Sequence, residues 1–424
     1  MRRLTFLWLP VLLAMCVIVT SCSKEPKPTA TGGDSSAKQP ATTAPATTEP
    51  EPAAPAETLK EAAEAPKETA EAPSAGDPDY VTPGTQAAID KAIAYLRKTQ
   101  QADGGWLPTD DAKASDMGIS SVAILGLLRV GVPVDDPMMV KALDYLVKFQ
   151  KEDGGIYEEG KGYRNYTTSI SLMVMKATGD KKYDEASAKA LEFLKDLQWD
   201  EGEGLGAESV DFGGAGYGSH KRPDLSNTQW FVQAVREAGL KPDDPALKKA
   251  LIFVSRTQAT EEARFIALPD GSFIYTPHGG GESKAAEIVL PSGQKGLKGY
   301  GSMTYAGFLS LIYCGLDKQD KRVQAALKWL GDHWTLEENP EVGKQGHFYY
   351  LMIMAKALRA YGEPTITDAQ GTAHPWRKEL SGKLIQMQGE DGTWSNDADR
   401  WYEGYKPLVT GYGLITLNAC KAKL

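Results

Sequence analysis

The chain has 424 residues, 42% of them hydrophobic and 24% charged, with a formal charge of −9. That mild acidity, with no basic face in the sequence, argues against a nucleic-acid partner. Cysteines stand only at 16, 22, 314 and 420, too scattered for a disulfide framework. Residues 1–21 open with Arg2-Arg3 and continue as an apolar run from Leu4 to Val19. This reads as a secretory signal, too short and wrongly flanked to span a membrane. Residues 22–79 are mostly Pro, Ala, Thr, Ser and Glu. They lack the large apolar side chains that offset ordering entropy, so a disordered tether is expected.

From residue 80 to 424 a unit recurs. Its first form is KAIAYLRKTQQADGGW, Lys91 to Trp106, an amphipathic helix ending in a glutamine, a glycine turn and an aromatic residue. Related first helices precede Gln150, Gln198, Gln258, Trp334 and Gln388, the fifth being degenerate. The third turn reads as Gln198-Trp199-Asp200 through Gly206, and the fourth as a delayed Pro269-Asp270-Gly271. Each first helix is followed by a more apolar one, near 116–129, 166–177, 226–238, 303–314, 349–361 and 409–420. Six pairs with a wet first helix and a surrounded second helix predict two concentric layers, open or closed. Repeat four carries an insertion, Ala259 to Gly299, in which Pro269-Asp270-Gly271 between FIAL and SFIYT reads as a β-hairpin. The following glycine-rich stretch reads equally as a lid or as surface decoration.

Two resemblances extend this reading. Val19-Thr20-Ser21-Cys22 resembles the bacterial lipobox, which implies cleavage before Cys22, lipidation of its thiol and a lipid-anchored envelope location. In a host with two membranes, Ser23 implies the outer one. The repeat resembles the QW repeat of squalene and oxidosqualene cyclases, shared more loosely with protein prenyltransferase β subunits. It implies an all-α, α6/α6 toroid, here a monomer with the small hairpin inserted in repeat four.

The catalytic letters of those families are absent where the resemblance would place them. Pro223-Asp224-Leu225-Ser226-Asn227-Thr228 matches the cyclase Asp-x-Asp-Asp-Thr motif, but Ser226 stands where the proton-donating Asp belongs. Tyr300-Gly301-Ser302 stands where prenyltransferases carry an Asp-x-Cys zinc pair, and His347 alone matches their zinc histidine. No metal or other cofactor is therefore expected. The complement-type thioester segment is missing too.

Loops entering the second helices should converge on one mouth. They offer Asp116, Tyr166, Tyr217, His220, Asp224, Ser226, Asn227, Tyr300, Tyr305, His347 and Tyr349 as candidate ligand contacts. Asp224, His220 and His347 stand nearest any chemistry. Capping alone explains Asp116, Ser226 and Asn227 better than ligand contact does, and packing is the weightier reading of tyrosines at joints. The reading that follows is an envelope protein binding a hydrophobic or glycan-like ligand in a central cavity, without polyene cyclase or prenyltransferase activity. The alternatives are an enzyme of another reaction, terpenoid cyclase-like or glycan-acting, and a protein-interaction scaffold.

Overall fold

The computed structural model describes residues 82–218, 222–398 and 400–421. The leader, Cys22 and the expected tether lie outside them, as does His220. Among these residues, twelve α-helices alternate between two layers. The outer set is α1 (Thr85–Thr99), α3 (Pro137–Val147), α5 (Asp184–Asp196), α7 (Pro245–Arg256), α9 (Lys321–Asp332) and α11 (Trp376–Met387). The inner set is α2 (Met117–Arg129), α4 (Arg164–Thr178), α6 (Leu225–Glu237), α8 (Gly301–Tyr313), α10 (His347–Tyr361) and α12 (Lys406–Lys421). Each inner helix packs on the next, and α12 packs on α2, so the ring is closed. The seam is sewn by Gln388, whose Nε2 donates to the Ala88 carbonyl at 2.8 Å, and by the Thr82 amide on Ser381 at 3.0 Å.

The glutamine of the repeat acts as a circumferential clamp. Gln100 Nε2 donates to Gly104 O of its own turn and to Met138 O in the first turn of the next outer helix. Gln198 bonds Gly213 and Ala246 in the same way, and Gln258 bonds Gly271 and Arg322. The turn glycine is required twice over. Gly213 has φ 86°, a conformation that penalises any Cβ, and a Cβ there would lie 1.8 Å from the Lys249 carbonyl oxygen. The backbone amide at the position of the aromatic, which is Ile or Ala in two repeats, then bonds a hydroxyl one turn into the inner helix. Trp106 uses Ser120, Ile156 uses Thr168, Ala215 uses Thr228 and Phe273 uses Thr304.

Two turns differ from their sequence reading. In repeat three the joint is made by Asp211–Gly214, not by the Gly202–Gly206 stretch, which forms a short 3-10 turn at Glu201–Glu203 ahead of it. The reason is contact: only Gly213 reaches the Lys249 backbone. In repeat four, Pro269-Asp270-Gly271 is the delayed joint that the repeat led one to expect, but it turns no hairpin, since FIAL and SFIYT do not pair with each other. Phe273 bridges to Gln258, and Ala267 bridges to Leu297. The hairpin of the insertion lies further on, β1 (Ile288–Val289) against β2 (Lys295–Gly296). A second hairpin, β3 (Ile366–Thr367) with β4 (Ala373–His374), was not legible. It serves repeat five, which lacks the clamp glutamine. There Gly331 closes on the Thr367 carbonyl, and Trp334 stacks on His374 with centroids 5.1 Å apart.

Candidate functional site: a tyrosine-lined mouth

All the outer-to-inner turns lie at one end of the ring, so six inner-helix N-termini meet there. Each brings unsatisfied N–H groups that need acceptors. The second N–H of α4 and the first of α6 and α8 donate to a carbonyl of the next repeat: Tyr217, Tyr275 and Pro340 respectively. Side chains finish the capping. Asp116 Oδ1 accepts from Ile119 N at 3.0 Å, and Asp224 Oδ1 accepts from Asn227 N at 2.9 Å. Where the local sequence has no cap, the following repeat supplies one. Asn339 Oδ1 accepts from Ser302 N at 2.9 Å, and Glu403 Oε1 accepts from Tyr349 N at 2.7 Å.

Asp224 is fully buried. Its second oxygen accepts from Asn227 Nδ2 at 2.8 Å. Burial pushes its carboxyl up to about 6, opposed by hydrogen bonds from the Asn227 backbone and side chain and from Tyr275, and by the Arg222 charge. Glu403, also fully buried, is raised by burial and opposed by hydrogen bonds from Asn396 and the first amides of α10. Asn165, buried beside them, donates to the Asn227 carbonyl at 3.1 Å.

Above this capping layer lies a set of tyrosines. Tyr217 is half-buried, meets Tyr163 edge-on at 5.6 Å and bonds the side chains of Tyr275 and Asn227. Tyr349 reaches across the ring to bring its hydroxyl 3.3 Å from Ser226 Oγ. Tyr166 meets Tyr412, hydroxyl to hydroxyl, at 3.5 Å and turns its ring edge-on to Trp230. Burial raises the phenols of Tyr166, Tyr217, Tyr300 and Tyr349, so all are neutral donors at physiological pH. Tyr163 and Tyr402 form an exposed rim. Lys284 and Arg222 sit over the Tyr275 ring at 4.5 and 5.7 Å, and both pair with Glu282.

The sequence-selected residues thus divide. Tyr166, Tyr217, Asp224, Ser226, Asn227 and Tyr349 converge, with Tyr300 buried in the layer beneath and Asp116 at the rim beside Lys161. Asp116 and Asp224 serve as caps. His347 points elsewhere: it is 2% exposed, its Nε2 lies 3.0 Å from the Leu336 carbonyl, and burial lowers its imidazole to about 4. Tyr305 is buried against Tyr350. Sequence reasoning missed Tyr275, Tyr412 and Glu403. The only signal for Glu403 was its place in the aromatic run Trp401-Tyr402-Glu403-Gly404-Tyr405. Among the described residues no group of three or more His, Cys, Asp or Glu is placed to hold a metal ion.

The squalene-hopene cyclase C-terminal domain family matches residues 78–171 and, in an overlapping alignment, 111–265. A type II terpene cyclase from Scytonema, solved with geranylgeranyl dihydroxybenzoate, superposes with TM-score 0.50 at 12% identity, covering 80% of this chain and 97% of that one. The fold is that of the squalene cyclase-like toroids. The squalene–hopene cyclase of Bradyrhizobium diazoefficiens is 33% identical over 137 residues, covering 28% of this chain and 20% of that protein. A probable squalene–hopene cyclase of Sinorhizobium fredii is 30% identical over 136 residues, covering 27% and 20%. The chain spans about a fifth of the length of these curated relatives. A family 76 glycoside hydrolase from a bovine Bacteroides thetaiotaomicron strain has the same toroid, with TM-score 0.52 at 10% identity, covering 80% of this chain and 78% of that one.

Proposed function

We propose that this toroid is a non-cyclising binding protein of the cell envelope, tethered through lipidated Cys22, which takes a glycan-like ligand at its tyrosine-lined mouth. The observation that carries this is the contrast between mouth and axis. The mouth presents partly buried phenols with neutral hydroxyl donors, an exposed rim of Tyr163 and Tyr402 and flanking cations, the mixture that stacks on and hydrogen-bonds a polyhydroxylated ring. A polyene needs instead a deep apolar lumen. Here Tyr349–Ser226, Tyr166–Tyr412 and Lys356–Trp230 span the ring. The position that would protonate an alkene is a serine hydroxyl. The buried carboxylates nearby have their oxygens engaged in helix capping, which favours binding over acid catalysis.

Mass spectrometry of small molecules that co-purify with the protein, followed by calorimetric titration of envelope oligosaccharides, tests the reading. Saturable oligosaccharide binding that Tyr217→Ala and Tyr349→Ala both weaken by about tenfold supports it, each lost stacking contact being worth ~1 kcal/mol or more. Cyclised product from squalene, or a co-purified isoprenoid in place of a glycan, sinks it. Mass analysis of the mature N-terminus tests the anchor: an unmodified Cys22 removes that part.

A further inference from the structure

A second site lies deeper on the axis. Lys356 of α10 is 8% exposed, and its Nζ has no hydrogen-bond acceptor among the described residues. It sits 4.1 Å from the ring centroid of Trp230, on α6. Helices α6 and α10 are not neighbours in the ring, because α8 separates them, so this amine is placed on the axis itself. Beneath Trp230 a polar stripe continues down α6. Gln229 Nε2 donates to Gln233, Gln233 Nε2 donates to Glu237 at 2.8 Å, and Glu237 pairs with Arg129 of α2. The Arg129 and Glu237 side chains are 24% and 25% exposed, so they form the wet end of this stripe.

An ammonium so buried is costly without an acceptor, whereas a neutral amine is not. Burial is the largest influence and favours the neutral form; the Arg129 charge adds to it and Glu237 opposes it, leaving Lys356 at about 7. An amine desolvated beside a second cation is the arrangement that makes lysine a nucleophile.

We propose that Lys356 is an imine-forming site for an aldehyde or ketone ligand entering past the Arg129–Glu237 pair. The Nζ lone pair attacks the carbonyl carbon, and the C–N bond forms as the C=O π pair moves onto oxygen. That oxygen takes a proton from nitrogen. The carbinolamine then loses the oxygen as water, together with the second nitrogen proton, and leaves a C=N bond. No oxidant or other co-reactant is consumed. Trp230 offers an apolar face beside the new bond, and the orphaned Gln229 Oε1 offers an acceptor for a ligand hydroxyl. This site is separate from the mouth and does not depend on what binds there.

The test treats the intact protein with butyraldehyde and sodium cyanoborohydride at neutral pH and maps the N-butylated lysines by mass spectrometry. Lys356 should be alkylated roughly tenfold faster than Lys321, whose side chain is exposed to water. Lys356→Arg should remove that adduct and leave the circular dichroism unchanged. Alkylation of Lys356 no faster than that of Lys321 overturns the proposal and leaves Lys356 as a buried cation over Trp230. The labelling comparison stands on the unaltered protein, so it holds even if the variant fails to fold.

Discussion

The side-chain amide of Gln258 donates to the carbonyl of Arg322 at 2.9 Å, from the end of one outer helix to the first turn of the next. Together with its bond to Gly271 it makes the repeat's glutamine a tie between neighbouring units rather than a cap on its own helix. Gln198 is 2% exposed, and both of its bonds are buried. Gln198→Ala is expected to lower stability by roughly 1–3 kcal/mol in urea unfolding, the range for buried partners left unsatisfied. Gln198→Glu should lower it further, since a carboxylate would face two carbonyl oxygens with nothing to donate.

Two glycines with positive φ separate conformation from contact. Gly160 has φ 77° and nothing within 4 Å of its Cβ position, whereas Gly213 has φ 86° and the Lys249 carbonyl at 1.8 Å. Gly160→Ala should cost about 1–2 kcal/mol, the conformational penalty alone. Gly213→Ala should cost several kcal/mol, or prevent accumulation of soluble protein, because α7 must move away. Equal effects in thermal unfolding would show that the backbone contact is not rigid.

Asp224 should leave a mark on the pH dependence of stability. Its folded carboxyl lies at about 6, above its ordinary 3.8, so between those values the folded chain holds the proton more tightly than the unfolded chain. Stability from this group therefore falls as pH rises from about 4 to 6, by the order of 1–3 kcal/mol, and is flat on either side. Asp224→Asn keeps a good N-cap and should flatten that window in urea titrations across pH. An unchanged slope would assign the proton to another group.

Glu403 tests capping from a distance. Its carboxylate accepts the Tyr349 amide of α10 and the Asn396 side chain, 54 and 7 residues away. Glu403→Ala should free the segment around 396–405 and destabilise the protein by roughly 1–3 kcal/mol. Limited proteolysis should then cut that segment first, and Glu403→Gln should restore part of the protection. Cleavage at unrelated sites would show that the segment is held by its aromatic side chains instead.

Twelve helices, their two layers and four of the six joints were legible because the signals are local. A 3.6-residue apolar stripe ends at a glutamine, and a glycine follows where φ turns positive. The same logic located the cap at Asp116, but it set the α6 cap at Ser226-Asn227, two residues past Asp224, which holds that place. It misplaced the third joint because two glycine-rich stretches, 202–206 and 213–214, follow Gln198, and only the approach of α7 selects between them. It likewise set the hairpin at Pro269–Gly271, a turn that the Gln258 clamp claims for the joint.

By itself the sequence determined the repeat and its two helix types, since each depends on residues adjacent in the chain, whereas the closed ring and the comparison of Ser226 with the cyclase acid rested on the family resemblance. Tertiary structure alone decided which tyrosines meet, that His347 faces Leu336, that Glu403 caps α10 and that Lys356 lies over Trp230. Those contacts join residues far apart in the chain, and they exist only once α12 has closed against α2. No local period encodes which side chains a closed ring brings to its axis.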